Sequence, residues 1–269
     1  MRQRSSLARL LASAAMTATL AAGLGGCQTM SDITGSITSS KADASPAADP
    51  RAQVEVYGER YRADPGNVDA ALAYGQALRA TGQRSQAVAV LEQANIRHAG
   101  HKGVLAAYGR ALADNGNFQQ AFDVLTRAHS PDNPDWRILS VQGTALDQLG
   151  RHDEARRYYT SALKIVPDEP SVLSNLGMSY VLSRDLPKAE EVLRRAYAST
   201  RADARVRQNL GLVVGLQGRF AEAEGIVKAD LPAEEAAANV AYLKQMLSRK
   251  DNPRAGAGTI PVAALNRPD

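Results

Sequence analysis

Residues 136–169 read WRILSVQGTALDQLGRHDEARRYYTSALKIVPDE, and residues 170–203, PSVLSNLGMSYVLSRDLPKAEEVLRRAYASTRAD, repeat their layout without an insertion. Gly143 and Gly177 fall in column 8 of such a 34-residue row, and Ala155 and Ala189 in column 20. The same frame gives rows 68–101, 102–135, 136–169, 170–203 and 204–237. Column 8 is then Gly75, Gly109, Gly143, Gly177 and Gly211; column 20 is Ala87, Ala121, Ala155, Ala189 and Ala223. With 21 glycines in 269 residues, filling one column five times by chance has odds below about one in 10⁵, so the repeat is real.

Each column has a physical reading. Small residues at columns 8 and 20 let the two helices of a repeat approach closely and interlock. Column 15 holds Gly82, Gly116, Gly150 and Gly218, which suit the left-handed turn that ends a first helix. Arg184 interrupts that column, but Pro187 fits the first turn of the helix that follows, so the hairpin is expected to survive. Pro65, Pro134 and Pro167 stop the second helices. Upstream, residues 52–62 fall in the same frame as a lone second helix, a half-repeat cap. Downstream, Asp230-Leu-Pro-Ala-Glu-Glu opens a helix with a capping residue and first-turn acids, running to about Ser248 over the last repeat's apolar face.

Composition agrees with an all-α chain. The 44% hydrophobic fraction includes 48 alanines, which favour closely packed helices over β-branched strands. One Cys, 5% aromatics and 32 basic against 28 acidic residues exclude a disulfide scaffold, a zinc-ribbon array and a strongly basic nucleic-acid binder. Arg2, Arg4 and Arg9 alone supply three of the net +4 charges, so charge identifies no partner.

The columns resemble the tetratricopeptide repeat. The implied fold is a right-handed α-solenoid of five full repeats, an N-terminal half-repeat and a C-terminal capping helix, filling 51–249. At 100° per residue, columns 4, 7, 8 and 11 of the first helix share one face and hold the core leucines, while columns 2, 6, 9 and 13 share the opposite face. The resemblance implies that this opposite face lines a partner groove. Its candidate residues are Gln76, Arg110, Asp114, Arg137, Thr144, Gln148, Asn175, Met178, Leu182, Arg205, Asn209, Leu212 and Leu216. Early repeats offer small and charged groups; the last two offer Asn175 and Asn209 beside Met178, Leu182, Leu212 and Leu216. Stacked asparagines can bind an extended peptide backbone while apolar neighbours take its side chains. Alternatively the C-terminal helix or tail covers those apolar groups.

Residues 1–26 read as a signal peptide: a basic start to Arg9, an apolar run from Leu10 to Ala22 too short to span a bilayer, then Leu24-Gly-Gly before Cys27. Leu24-Gly-Gly-Cys27 resembles the lipobox of bacterial lipoproteins, which implies an acylated Cys27 as membrane anchor. In such lipoproteins an Asp after the Cys favours inner-membrane retention, so Gln28 implies the outer membrane. Residues 27–50 follow as the anchor and a Ser/Thr/Ala-rich flexible tether. The tail, 250–269, is Gly/Ala/Pro-rich and expected to be disordered; its apolar cluster, 260–265, either folds back into the groove or meets another protein.

No chemistry-bearing motif is present. The chain has no His-Glu-x-x-His, no G-x-S-x-G, no Walker A and no dinucleotide fingerprint. His98 and His101 lack a third ligand and read as solvated turn residues. No catalytic residue, metal, cofactor, nucleic acid or small-molecule substrate is expected. Chaperone-type carboxylate clamps place Lys at column 5 and Asn at column 9, whereas this chain has neither there, so a chaperone C-terminus is not the expected guest. Trp136 is expected to pack on the preceding turn.

The lipobox, tether and repeats, with Val56-Tyr-Gly-Glu-Arg-Tyr61, Gly109-Arg-Ala-Leu-Ala-Asp-Asn-Gly-Asn-Phe118 and Leu210-Gly-Leu-Val-Val-Gly-Leu-Gln-Gly-Arg-Phe220, resemble the TadD family of tight-adherence (Flp) pilus assembly lipoproteins. The resemblance implies an outer-membrane lipoprotein facing the periplasm, read here as a noncatalytic scaffold for the pilus secretin and associated assembly components. A lipoprotein that scaffolds or regulates cell-wall enzymes is the alternative. An enzyme accessory to envelope proteolysis is a third, for which no residue stands out.

Overall fold

The computed structural model describes residues 49–130 and 132–251. Among them are twelve α-helices and no strand beyond an isolated bridge between Ser130 and Asn133. The expected signal peptide, Cys27, nearly all of the expected tether and the tail beyond 251 lie outside the described residues.

The 34-residue frame maps directly onto the helices. The first helices, α2 (Val68–Ala80), α4 (Lys102–Asp114), α6 (Trp136–Gln148), α8 (Pro170–Leu182) and α10 (Ala204–Leu216), all span columns 1 to 13. The second helices, α3 (Arg84–Arg97), α5 (Phe118–Thr126), α7 (His152–Ile165), α9 (Leu186–Tyr197) and α11 (Phe220–Val227), all begin at column 17. In the same frame α1 (Pro50–Ala63) is a second helix without its first, the half-repeat at the N-terminal end of the array.

Local chemistry sets these limits. The side chains of Asn67, His101, Asp135 and Asp203 each accept a backbone N–H at the start of a first helix. At the other end one bond recurs in all five repeats, from a backbone N–H to the carbonyl five residues back. Its pairs are Gln83 to Leu78, Asn117 to Leu112, Arg151 to Leu146, Asp185 to Tyr180 and Arg219 to Val214, at 2.8 to 3.2 Å. It requires a left-handed residue at column 15, where the four glycines have φ of 75° to 88°. Arg184 makes the same turn at φ 62°, at a strain of roughly 1 kcal/mol. The hairpin therefore survives the missing glycine.

The interlock within each repeat differs from the expected one in its partner. Column 20 alanines are fully buried, but each column 8 glycine lies under a large column 24 side chain: Leu91, Leu125, Tyr159, Leu193 or Val227. A Cβ on any of these five glycines would come closer than 3.0 Å to that side chain. The glycine is the hole and column 24 the knob.

Successive first helices touch one another, whereas no two second helices do, so the first helices line the inner, shorter wall of the array. The last helix, α12 (Ala233–Asp251), packs on α10 and α11 as a further first helix would, with Leu243 seated on Gly215. It covers the apolar end of the array as expected.

On the outer side an ion network ties α9 to the turn before α11 and to α11 itself. Glu190 accepts from Arg194 and Gln217 at 2.6 to 2.8 Å and from Arg219, and Arg194 also reaches Glu222 at 2.6 Å. Burial pushes Glu190 up, but hydrogen bonds from Arg219, Gln217 and Arg194 outweigh it and hold the carboxyl below its usual value. A depressed carboxylate adds stability above its unfolded pKa, about 4.3, and loses it as pH falls through the folded one. Glu190→Gln is therefore expected to lower unfolding free energy at pH 7 by about 1 kcal/mol. Urea titrations of the variant and the parent should converge in strong acid; an equal gap at every pH would refute the linkage.

Candidate functional site

Among the described residues the inner wall is open. All thirteen groove candidates lie on first helices, and every one is exposed or half-buried. Leu182 is 49% and Leu212 37% exposed, large values for leucine beside helix contacts.

The wall divides in character along its length. Between α2 and α4 lies a cavity of about 410 Å³ lined by Leu72, Gln76, Arg79, Leu91, Gly103, Ala107 and Arg110. Asp114 is paired there with Arg79 at 2.6 Å. Arg137 stacks its guanidinium over the Trp136 ring, 4.5 Å from the centroid. Trp136 itself is half-buried and packs on the core of repeats three and four, where the sequence reading expected the preceding turn as its partner.

Midway the asparagines are engaged within the molecule. Asn175 donates to the Ser140 hydroxyl at 3.1 Å and accepts from Arg205 at 2.9 Å; Asn209 donates to the Ser174 hydroxyl at 2.8 Å. Each Asn–Ser pair bridges adjacent first helices, 35 residues apart in sequence. The asparagine ladder thus locks the wall, which leaves it fewer groups for a peptide backbone than the sequence suggests. Thr144 likewise donates to the carbonyl of Ser140 at 3.1 Å.

Toward the C-terminal end a cleft of about 430 Å³ opens between α10, α11 and α12, with Leu212, Val227, Val240, Tyr242, Leu243 and Met246 in its lining. The terminal helix covers the last repeat from the side and leaves Leu212 open to this cleft. Gln148 is exposed, and Met178 and Leu216 are half-buried; none of the three lines either cavity.

Beneath the wall lies a polar cluster. Asp147, 7% exposed, accepts from Ser179 at 2.7 Å, from Nδ1 of His152 at 2.9 Å and from the Tyr159 hydroxyl at 2.9 Å. A carboxylate only accepts, so the imidazole carries its proton on Nδ1. Burial first, then the Asp147 charge, push the Tyr159 phenol far above its ordinary value, so it remains a donor.

The other histidines have structural partners rather than solvent alone. His98 meets the Gly66 carbonyl at 2.7 Å and His101 caps α4 through the Val104 N–H at 3.2 Å. Among the described residues no three His, Cys, Asp or Glu side chains converge as a metal ion would require.

With helix pairs, column chemistry and inner wall in place, the family profiles decide the matter. The profile described as tetratricopeptide repeat matches residues 109–170 and 140–206, and that of anaphase-promoting complex, cyclosome, subunit 3 matches 53–128. The repeats are tetratricopeptide repeats. Among solved structures, the tetratricopeptide array is similar to a chain of the APC/C hetero-tetramer Cut9–Hcn1, with TM-score 0.61 and 18% identity, over 77% of this chain. It spans only 41% of that chain's length. A tetratricopeptide repeat protein from Parabacteroides merdae gives TM-score 0.60 and 15% identity, over 75% of this chain and 77% of its own. A thermophilic one from Thermus thermophilus gives 0.57 and 20%, over 65% and 97%. At such identities these likenesses establish the fold. No curated protein matches the chain in sequence. Tetratricopeptide arrays generally serve as protein-interaction scaffolds, and their concave walls are the binding surfaces.

Proposed function

We propose that the protein is a noncatalytic scaffold lipoprotein, anchored by acylated Cys27 in the outer membrane and facing the periplasm, that supports assembly or localisation of the secretin of a tight-adherence pilus apparatus. The observation that carries this reading is the open inner wall, polar at one end and apolar at the other, on a chain that opens with a lipobox-like sequence. The three stretches similar to TadD lipoproteins narrow the partner to pilus assembly components. Among the described residues no helix is long and apolar enough to cross a membrane; this reading assigns the membrane attachment to acylated Cys27.

Cys27→Ser is the test. Two acyl signals hold a protein far better than none, so the variant is expected to leave the outer-membrane fraction and secretin multimers to fall by about tenfold. Unchanged location together with unchanged multimers would end the proposal. Changing Asn175, Asn209 and Leu212 together is expected to reduce recovery of the secretin while the helical signal persists. Recovery of murein enzymes in place of the secretin would point to cell-wall regulation instead.

A further inference from the structure

The N-terminal end of the inner wall holds an unanswered charge. Arg79, Arg110 and Arg137 gather there, and two of the three guanidiniums are occupied, Arg79 on Asp114 and Arg137 on the Trp136 ring. Arg110 sits between them, half-buried, and makes no hydrogen bond or ion pair with any described residue. Asp135, the remaining carboxylate in reach, caps α6 by accepting the Arg137 N–H at 2.8 Å. Burial lowers the pKa of Arg110. The pull of Asp135 opposes this and repulsion from Arg79 and Arg137 adds to it, leaving the guanidinium below its ordinary value.

Partly buried cations are ordinarily paired, because desolvation is offset only by a charged partner. Arg110 remains charged near neutral pH and has five unused donors in a planar fork, which suits a carboxylate. The cavity beside it, about 410 Å³, is within the size range of small ligand sites, and its floor is aliphatic: Leu72, Leu91 and Ala107. A carboxylate with an apolar neighbour matches both halves of the lining. We propose that this cavity receives an Asp or Glu side chain from an extended acidic segment of a protein partner, its carboxylate bidentate on Arg110 and an adjacent aliphatic side chain against Leu72. The inference rests on the reading of the inner wall as the partner groove and names what its N-terminal end selects.

The test is fluorescence anisotropy on the full chain in detergent, with two labelled, C-terminally amidated peptides as probes: Ser-Leu-Glu-Leu-Glu-Leu-Ser and its counterpart with Gln for Glu. The Glu peptide is expected to bind saturably and at least tenfold more tightly than the Gln peptide. Arg110→Gln should remove that tenfold preference. Arg110→Lys, which keeps the charge and loses the fork, should fall between. Circular dichroism checks that both variants are folded. Equal affinity for the two peptides, no binding of either, or an Arg110→Gln variant that still prefers Glu would overturn the proposal. So would equally tight binding of an oligonucleotide of the same charge, which would mark a nonspecific basic patch. If the triple change at Asn175, Asn209 and Leu212 abolishes secretin recovery while Arg110→Gln leaves it intact, the groove stands and only the acidic-segment assignment fails.

Discussion

Asp147→Ala is expected to lower the unfolding free energy by about 3 to 5 kcal/mol, as removal of one partner from a buried charged cluster does. The carboxylate on α6 is the shared acceptor for α7, through His152 and Tyr159, and for α8, through Ser179. Alanine leaves the hydroxyls of Tyr159 and Ser179 buried without their acceptor; both residues are at most 1% exposed, and the remaining Tyr159 contact to Thr144 is long, 3.4 Å. Each orphaned group costs about 1 to 3 kcal/mol. Asp147→Asn keeps the shape and one carbonyl acceptor, and Tyr159→Phe deletes one short bond, to Asp147, and the long contact to Thr144, so each is expected to cost about 1 to 2 kcal/mol. Because repeats contact mainly their neighbours, weakening the junction between the third and fourth should also uncouple the two ends of the array. Urea unfolding followed by the helical circular dichroism signal should then show a shallower or two-step transition. A single transition shifted by less than about 1 kcal/mol would mean that water replaces the carboxylate and the cluster is not a stabilising hub.

What the repeats share could be read from sequence, because a column filled five times reports one packing requirement five times over. The helix starts, the left-handed turn at column 15 and the N-terminal half-repeat all follow from the frame. Even Arg184 was readable, since the backbone bonds that close the turn do not depend on its side chain. The partner of the glycine column was within reach: column 24 reads Leu91, Leu125, Tyr159, Leu193 and Val227, and matching the smallest column to the largest would have found it. Residues that occur once were not legible in this way. Asp147, His152, Tyr159 and Ser179 belong to no shared polar column, so nothing in the period marks their convergence. Helix geometry placed Asn175 and Asn209 on the face opposite the core, and the repeat resemblance made that face the inner one, but their serine partners 35 residues back depend on how neighbouring first helices stack. The chemistry of Arg110 was evident from its residue type; its burial and its lack of an anion are properties of the packed wall.

Gly109→Ala is expected to destabilise the array by about 1 to 3 kcal/mol, although alanine is the better helix former by about 1 kcal/mol. Two effects oppose each other, and the space decides. A Cβ at Gly109 would come well inside 3.0 Å of Leu125 carbons, and Leu125 is fully buried, so neither side chain can yield without displacing α5 from α4. Gly225 is the control: it lies in α11 with nothing within 4 Å of an added Cβ, so Gly225→Ala should stabilise by about 0.5 to 1 kcal/mol. Leu125→Ala alone should cost about 2 to 5 kcal/mol by leaving a cavity. In the double variant, Gly109→Ala with Leu125→Ala, the new methyl enters space the leucine vacated, so its loss should be smaller than the sum of the single losses by at least about 1 kcal/mol. Chemical denaturation of the four variants measures this coupling directly. If Gly109→Ala raised stability as Gly225→Ala does, the glycine column would reflect something other than the knob at column 24. Additive losses would lead to the same conclusion, because two side chains that compete for one volume cannot act independently.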